Sequence, residues 1–211
     1  MLNLAHRRDR WEQIVKEFEG KCKLIKADCV MVEDESLTKN VRGYYGVAYT
    51  HIQLIKDAKA RGDKTLLILE DDCELMNKTS WGKWLRLKQW CDNNLDKWEI
   101  FNPGAMIYSR VDDVIRFDEM YLCKIWSGGG SHFIYFNVDS AYQKVLDWEI
   151  EKFDIDVYYT LKFNCWTSYP MIAKQRDGHS DIQSMDRSWL AYAMMTERRG
   201  LELIGDFLMK Y

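Results

Sequence analysis

The sequence predicts an α/β protein with a central mixed, mostly parallel sheet flanked by helices, and three observations carry that expectation. Short β-type apolar runs alternate with amphipathic helical stretches through the N-terminal third, which is the pattern of βαβ units, and a more mixed half follows. Apolar residues make up 47% and charged residues 30% of the chain, ordinary values for a soluble globular protein. The 211 residues suit one large domain, and with only 2 Pro and 12 Gly no linker, repeat or low-complexity stretch divides them.

In chain order, Asn3 to Asp9 reads as the end of a strand running into a loop. Trp11, Ile14, Val15 and Phe18 then fall at helical spacing, and Gly20 is the stop signal. Cys22 to Ala27 reads as a short buried strand ending at Asp28. Gly43 to Ala60 is an amphipathic helix with Val47, His51, Leu54, Ile55 and Ala58 on one face, closed by Arg61-Gly62-Asp63. On that face His51 reads as a core histidine. Thr65 to Leu69 is a β-type run that stops abruptly at Glu70-Asp71-Asp72. Farther on, Trp81 to Cys91 reads as helix, Trp98 to Phe101 and Ser131 to Asn137 as strands, and Ser140 to Glu151 as helix. The pattern leaves the type of Tyr158 to Asn164, Ser168 to Ile172 and Trp189 to Met195 open.

Three adjacent carboxylates at the end of a buried strand repel and raise one another's pKa, so stability alone does not recommend them there. A bound Mg²⁺ or Mn²⁺ removes that penalty, because hard cations take oxygen ligands. Ligands of open α/β sheets gather at the carboxyl ends of strands, where this cluster would lie. If the strand continues, Glu70 and Asp72 share a face and Asp71 points away. A solvated acidic turn is the other reading.

The net charge of -3 argues against a broad nucleic-acid-binding face, which needs a basic surplus. No apolar run approaches the roughly 20 residues of a membrane span. Met1 to Arg8 has charge but no apolar h-region behind it, and the six cysteines include no C-x-x-C pair. Reduced, mostly buried thiols in a cytoplasmic setting are therefore expected. Aromatic residues reach 14%, with 9 Trp, more than packing needs. Trp11, Trp98 and Trp148 fall on apparent core faces. Trp126, Trp166, Tyr44, Tyr45 and Tyr169 are expected to line a cleft, where flat amphipathic rings stack on a base or a sugar.

Several segments together resemble glycosyltransferase family 25, which includes lipopolysaccharide and collagen galactosyltransferases. Leu69-Glu70-Asp71-Asp72 is similar to its acidic motif, and Asn3-Leu4 with Arg7 and Asp9-Arg10 to its opening N-L-x-R-x-x-D-R. Ala27-Asp28, Gly46-Val47-Ala48-Tyr49-Thr50-His51, Ser131-His132-Phe133-Ile134 and Phe153-Asp154-Ile155-Asp156 follow in the family's order. Tyr169-Pro170, Gln175 and Ser180-Asp181-Ile182 resemble its close. Val47 and Thr50 depart from the family's Cys and Ser. The chain's size is also similar to that of the glycosyltransferase domains of large algal viruses, which decorate a capsid glycoprotein; a host cytoplasm would then be its setting.

The resemblance implies a single GT-A domain over residues 1–211, nucleotide-binding in its N-terminal half and acceptor-binding in its C-terminal half, whether alone or within a longer protein. It implies a UDP-sugar donor, Mn²⁺ (or Mg²⁺), and a glycan or glycoprotein acceptor that receives a hexose or deoxyhexose. Asp72 would be the principal metal ligand, with His179 as the second and Asp181 competing for that place. Asn3, Leu4, Ala5, Arg10, Asp28, Glu70 and Asp71 would hold the nucleotide sugar, Arg10 on phosphate or bracing Asp28. Asp156, or else Asp154, would be the general base; helix N-capping is the alternative use of both. The loop from Trp126 to Gly130 would wall the acceptor or donor sugar. Two other classes remain open, a carbohydrate-binding or inactive transferase-like domain and a two-carboxylate glycoside hydrolase.

Overall fold

The computed structural model describes residues 1–150, 154–180, 185–187 and 189–210. In chain order its elements are β1 (Leu2–Asn3), α1 (Arg8–Phe18), β2 (Ala27–Asp28), α2 (Lys39–Arg61), β3 (Thr65–Leu69), β4 (Cys73–Leu75), α3 (Ser80–Asp92), β5 (Ile100–Phe101), β6 (Met106–Ile107), β7 (Val111–Phe117) and β8 (Met120–Ile125). There follow β9 (Gly128–Gly129), β10 (Phe133–Asn137), α4 (Val138–Leu146), α5 (Ile155–Lys162), β11 (Cys165–Tyr169), β12 (Ala173–Gln175), β13 (Gly178–Ser180), β14 (Met185–Arg187) and α6 (Trp189–Leu208).

Six strands form the central sheet in the order β3-β10-β5-β11-β8-β7. Only β5 and β11 run parallel within it; the other four pairings are antiparallel. The expectation of a mostly parallel sheet is thus corrected to a mixed one. The βαβ pattern holds at the N-terminus, where β1 and β2 pair in parallel and Leu2 bridges Glu70 in the same sense. Beyond it, β10 enters between β3 and β5 in the opposite direction. The β7–β8 hairpin adds an antiparallel edge, turning through Asp118 at φ +53°. Aspartate tolerates that left-handed backbone better than most residues, which suits it to a tight turn.

Period-2 alternation divides the side chains between two cores. Ile68, Ile100, Ile134, Phe136, Cys123 and Cys165 face one side, where α2, α4, α5 and α6 contribute Ile55, Val145, Tyr159 and Ile204. Leu69, Phe101, Phe133, Tyr135, Leu122 and Trp166 face the other, covered by Ile14 and Phe18 of α1 and Trp84, Leu87 and Cys91 of α3. The layers are therefore helix, sheet, helix. Trp84 packs edge-on against Phe133 and Tyr135, with ring centroids 4.8 and 5.2 Å away. Each such aromatic buried contributes on the order of 2 kcal/mol.

Helix α2 starts earlier than its apolar face suggests, because Thr38 caps it by accepting from the Val41 N–H. It ends at Gly62, whose φ of +78° is cheap only for glycine. Near its start Gly46 lies against the 29–31 segment: a Cβ there would sit 2.4 Å from the Val30 carbonyl oxygen. Two local expectations are corrected. The second strand is two residues long rather than running from Cys22, since β1 offers only two residues to pair with. Val15 is exposed, while Ile14 and Phe18 carry the buried face of α1. The six cysteines are free thiols, four of them buried. No helix among the described residues is long and apolar enough to cross a membrane.

Candidate active site

Three parallel strand ends stand side by side. Asn3 of β1 is in register with Asp28 of β2, and Leu2 bridges to Glu70 at the end of β3. The chain then reverses through a tight turn closed by the Cys73 N–H donating to the Glu70 carbonyl, 3.0 Å. Strand alternation stops there, so the expectation of Glu70 and Asp72 on one face does not apply. Each of the three carboxylates instead meets its own set of partners.

Asp71 is buried and takes the structural part. Its Oδ2 accepts from Asn3 Nδ2 at 2.7 Å and its Oδ1 from Arg10 Nη1 at 2.9 Å. Asn3 Nδ2 also donates to the Arg7 carbonyl, 3.0 Å away, which fixes the loop through Leu4 and Ala5. That loop is a turn in which the Arg7 N–H donates to the Leu4 carbonyl. Arg10 therefore braces Asp71 and not Asp28, which lies near Lys26 at 3.5 Å with its side chain 78% exposed. An exposed Asp28 at a strand end remains accessible to a ligand.

Asp72 has the unusual environment. Arg10 Nη1 lies 3.7 Å from its Oδ2, while its Oδ1 is buried and has no hydrogen-bond partner among the described residues. Burial pushes the carboxyl above its ordinary range; Arg10 pulls it down and Asp71 pushes it up. The Arg176 N–H donates to the Asp72 carbonyl, 2.6 Å, anchoring the turn to the β12 end of the chain. The Nε and Nη2 atoms of Arg176 are themselves buried without a hydrogen-bond partner among the described residues, with Glu17 3.9 Å from Nη2.

Glu70 points the other way, toward the core. Its Oε1 accepts from Ser131 Oγ at 2.6 Å and lies 4.0 Å from His51 Nε2. Burial raises the Glu70 carboxyl well above its usual range, with Asp72 next, and Ser131 opposing. His51 is wholly buried and shares a hydrogen bond with Tyr159 Oη through Nδ1, 2.9 Å. Burial holds the imidazole down to about 3, so it is neutral. The core reading of His51 stands, but its ring also backs the site.

The segment from Gly128 to Ser131 joins Glu70 to Asp156. Asp156 Oδ2 accepts from the Gly130 N–H at 2.9 Å, and its Oδ1 from the Val157 N–H at 2.8 Å. Gly130 sits at φ +91° with its carbonyl taken by Asn102 Nδ2, 2.5 Å. Asp154 stands at the N-cap of α5 without a side-chain cap bond; burial and Asp156 both raise its carboxyl. The structure thus brings Asp156, not Asp154, into the network of Glu70.

His179 of β13 is exposed, and its carbonyl accepts from Arg10 Nη2, so it reaches the site edge. Asp181 lies outside the described residues. Two aromatics expected at the cleft belong elsewhere: Trp166 and Tyr169 are buried in the two cores, because β11 is a central strand packed on both faces. Trp126 is exposed, while Tyr44 and Tyr45 are half-buried. Arg176 and Tyr159 are site residues that motif spacing did not single out, and Ser131 stands in a family-like segment that gave it no role; hydroxyl and guanidinium partners of a carboxylate carry no sequence period.

The described residues contain no group of three or more His, Cys, Asp and Glu poised for a metal ion. A nucleotide-bound Mg²⁺ needs less, usually one or two carboxylates with phosphate and water completing its shell. A buried carboxylate oxygen with no partner among the described residues fits that need, and Asp72 Oδ1 is one. No protein-family model matches the chain, and no curated protein matches it in sequence.

Proposed function

We propose that the chain is a metal-dependent, inverting glycosyltransferase of the GT-A type that moves a hexose or deoxyhexose from a UDP-sugar to a glycan or glycoprotein acceptor. The observation that carries the reading is Asp72, at the meeting of three parallel strand ends: its Oδ1 is buried with no hydrogen-bond partner among the described residues, and its Oδ2 lies 3.7 Å from Arg10. Burying such an acceptor unsatisfied costs about 1–3 kcal/mol, which a ligand at that spot returns.

On this reading the base and ribose lie over the ends of β1 and β2, where Asp28 is open and the Leu4–Ala5 turn offers backbone groups. Asp72 would hold a divalent cation, which would supply Lewis-acid charge to the departing diphosphate. Arg10 is close enough to Asp72 to pair with a phosphate oxygen. Asp156 is the base: it takes the proton of the acceptor hydroxyl as that oxygen bonds to the anomeric carbon. The bond from that carbon to the phosphate oxygen breaks with its electron pair leaving on UDP, and the configuration inverts. The two Asp156 backbone bonds hold the carboxylate in place and leave each oxygen a second lone pair.

Calorimetry of UDP with and without Mn²⁺ tests the reading. Binding that needs Mn²⁺ and is lost in Asp72→Asn is expected. UDP binding indifferent to EDTA and to Asp72→Asn would overturn the metal role, and no UDP binding at all would favour a sugar-binding domain or a glycoside hydrolase, neither of which needs a nucleotide.

A further inference from the structure

Past Asp156 the site opens onto a second, differently built surface. β6 and β9 pair through Met106–Gly129 and Ile107–Gly128, and the ladder continues as the Tyr108 N–H donates to the Ser127 carbonyl at 2.9 Å. It carries on into the β7–β8 hairpin. Along this ribbon three large side chains stand at the surface. Trp126 is 51% exposed and Tyr108 50% exposed, and the Arg110 guanidinium lies 4.8 Å from the Trp126 ring centroid. Arg110 is fixed in turn by Asp112, 3.0 Å from its Nε.

Gly129 explains how this surface joins the site. A Cβ built on it would lie 1.9 Å from Tyr108 Oη and 3.2 Å from Asp156 Oδ2. The phenol oxygen and the carboxylate therefore crowd the same point above a glycine that has no side chain to keep them off. A hydroxyl-bearing ligand placed there meets an aromatic O–H from the ribbon and a carboxylate from α5, and the guanidinium-backed indole stands farther along the same ribbon.

We propose that Tyr108, Arg110 and Trp126 form the acceptor platform, and that the acceptor group seated on it is a hexopyranose unit. This rests on the transferase reading above and extends it. A pyranose presents a face of C–H bonds that stacks on an aromatic ring, and a rim of hydroxyls that needs donors and acceptors together. Arg110 occupies one face of the indole and leaves the ring half in solvent, so a sugar meets an already oriented surface and loses little entropy in fixing it. Tyr108 and Asp156 then bracket the hydroxyl that will react. A nucleobase would stack as well, but the Asp28–Asn3 strand ends are the separate place for it.

Saturation-transfer NMR with methyl β-D-galactopyranoside and methyl β-D-glucopyranoside at millimolar concentration reads the platform, and UDP–Mn²⁺ calorimetry reads the donor side. Trp126→Ala is expected to weaken glycoside binding about fivefold to tenfold while leaving UDP affinity unchanged. Tyr108→Phe keeps the ring and loses the O–H; a drop of about threefold is expected. Glycoside signals unaltered by both substitutions would overturn the platform, and a loss of UDP affinity in Trp126→Ala would overturn it by moving the ring to the donor. Should UDP fail to bind the unsubstituted protein while glycosides bind in a Trp126-dependent way, the transferase reading falls and the sugar platform stands.

Discussion

Replacing Asp71 by alanine is the sharpest test of how the carboxylate turn is held. Asp71 accepts two hydrogen bonds, 2.7 Å from Asn3 and 2.9 Å from Arg10, the second with full opposite charge. Hydrogen bonds involving a charged group contribute about 1.5–3 kcal/mol each, and stripping one partner from a buried ion pair costs about 3–5 kcal/mol. Two effects reduce the loss. Arg10 keeps the Asp72 carboxylate at 3.7 Å and the His179 carbonyl, and removing one of three adjacent negative charges relieves Glu70 and Asp72. A net cost of about 3 kcal/mol follows, or a melting temperature lower by ~6–12 °C for a chain of this size. Asp71→Asn keeps an oxygen acceptor and should cost about half as much. Thermal melts of Asp71→Ala, Arg10→Met and the double variant measure the pair directly, with a coupling of about 2 kcal/mol expected. Strictly additive losses, or an Asp71→Ala melt within ~2 °C of the parent, would refute the latch.

Other consequences follow for pH and packing. Glu70 and Asp72 are raised in the fold, so the folded state keeps protons that the unfolded chain releases. Their contribution is greatest below the ordinary carboxylate range and is lost as pH rises through the raised values; Glu70→Gln should flatten that alkaline decline in a Tm–pH series. His51 and His132 are lowered by burial, to about 3 and about 4, so their contribution is present above the free-histidine value of about 6.5 and is lost as pH falls. The Tm–pH curve should therefore fall on both sides of a maximum, and a monotonic curve would contradict it. Gly46→Ala drives a methyl into the Val30 carbonyl and should cost about 1–3 kcal/mol in urea unfolding, whereas the equally helical Gly82, where a Cβ would meet only the end of the Arg86 side chain at 3.9 Å, should tolerate alanine.

Local chemistry explains which parts of the fold were legible. Thr65–Leu69 coincides with its strand because an apolar β-type run has a clear end where the carboxylates begin. The helices α1, α2 and α3 follow from apolar spacing, and in α2 the Thr38 cap and Gly62 set the ends. Strand direction is not written locally: β10 reads as a strand, yet only its neighbours make it antiparallel to both β3 and β5. The β7–β8 hairpin escaped because Asp112, Asp113 and Asp118 interrupt the alternation that would mark it. Within the site, the acidic turn and Asp156 were visible as residue types. Their division of labour was not, since Asp71, Asp72 and Glu70 are distinguished by partners such as Asn3, Arg10, Arg176 and Ser131, which come from distant parts of the chain. The same limit applies to Trp166 and Tyr169, whose aromatic character says nothing about whether a strand is central.

The bonds that define the carboxylate turn also set when it forms. Asn3 reaches Asp71 across 68 positions, Ser131 reaches Glu70 across 61, and Arg10 reaches the His179 carbonyl across 169. Closing loops of that length precedes any reward from the contacts, so such pairings lag behind helices and hairpins. During synthesis Arg10 must wait for His179, 169 positions later, before it finds that partner. The sheet and its helices can thus assemble before the turn is complete, and on the proposed transferase reading UDP affinity would mark that last step.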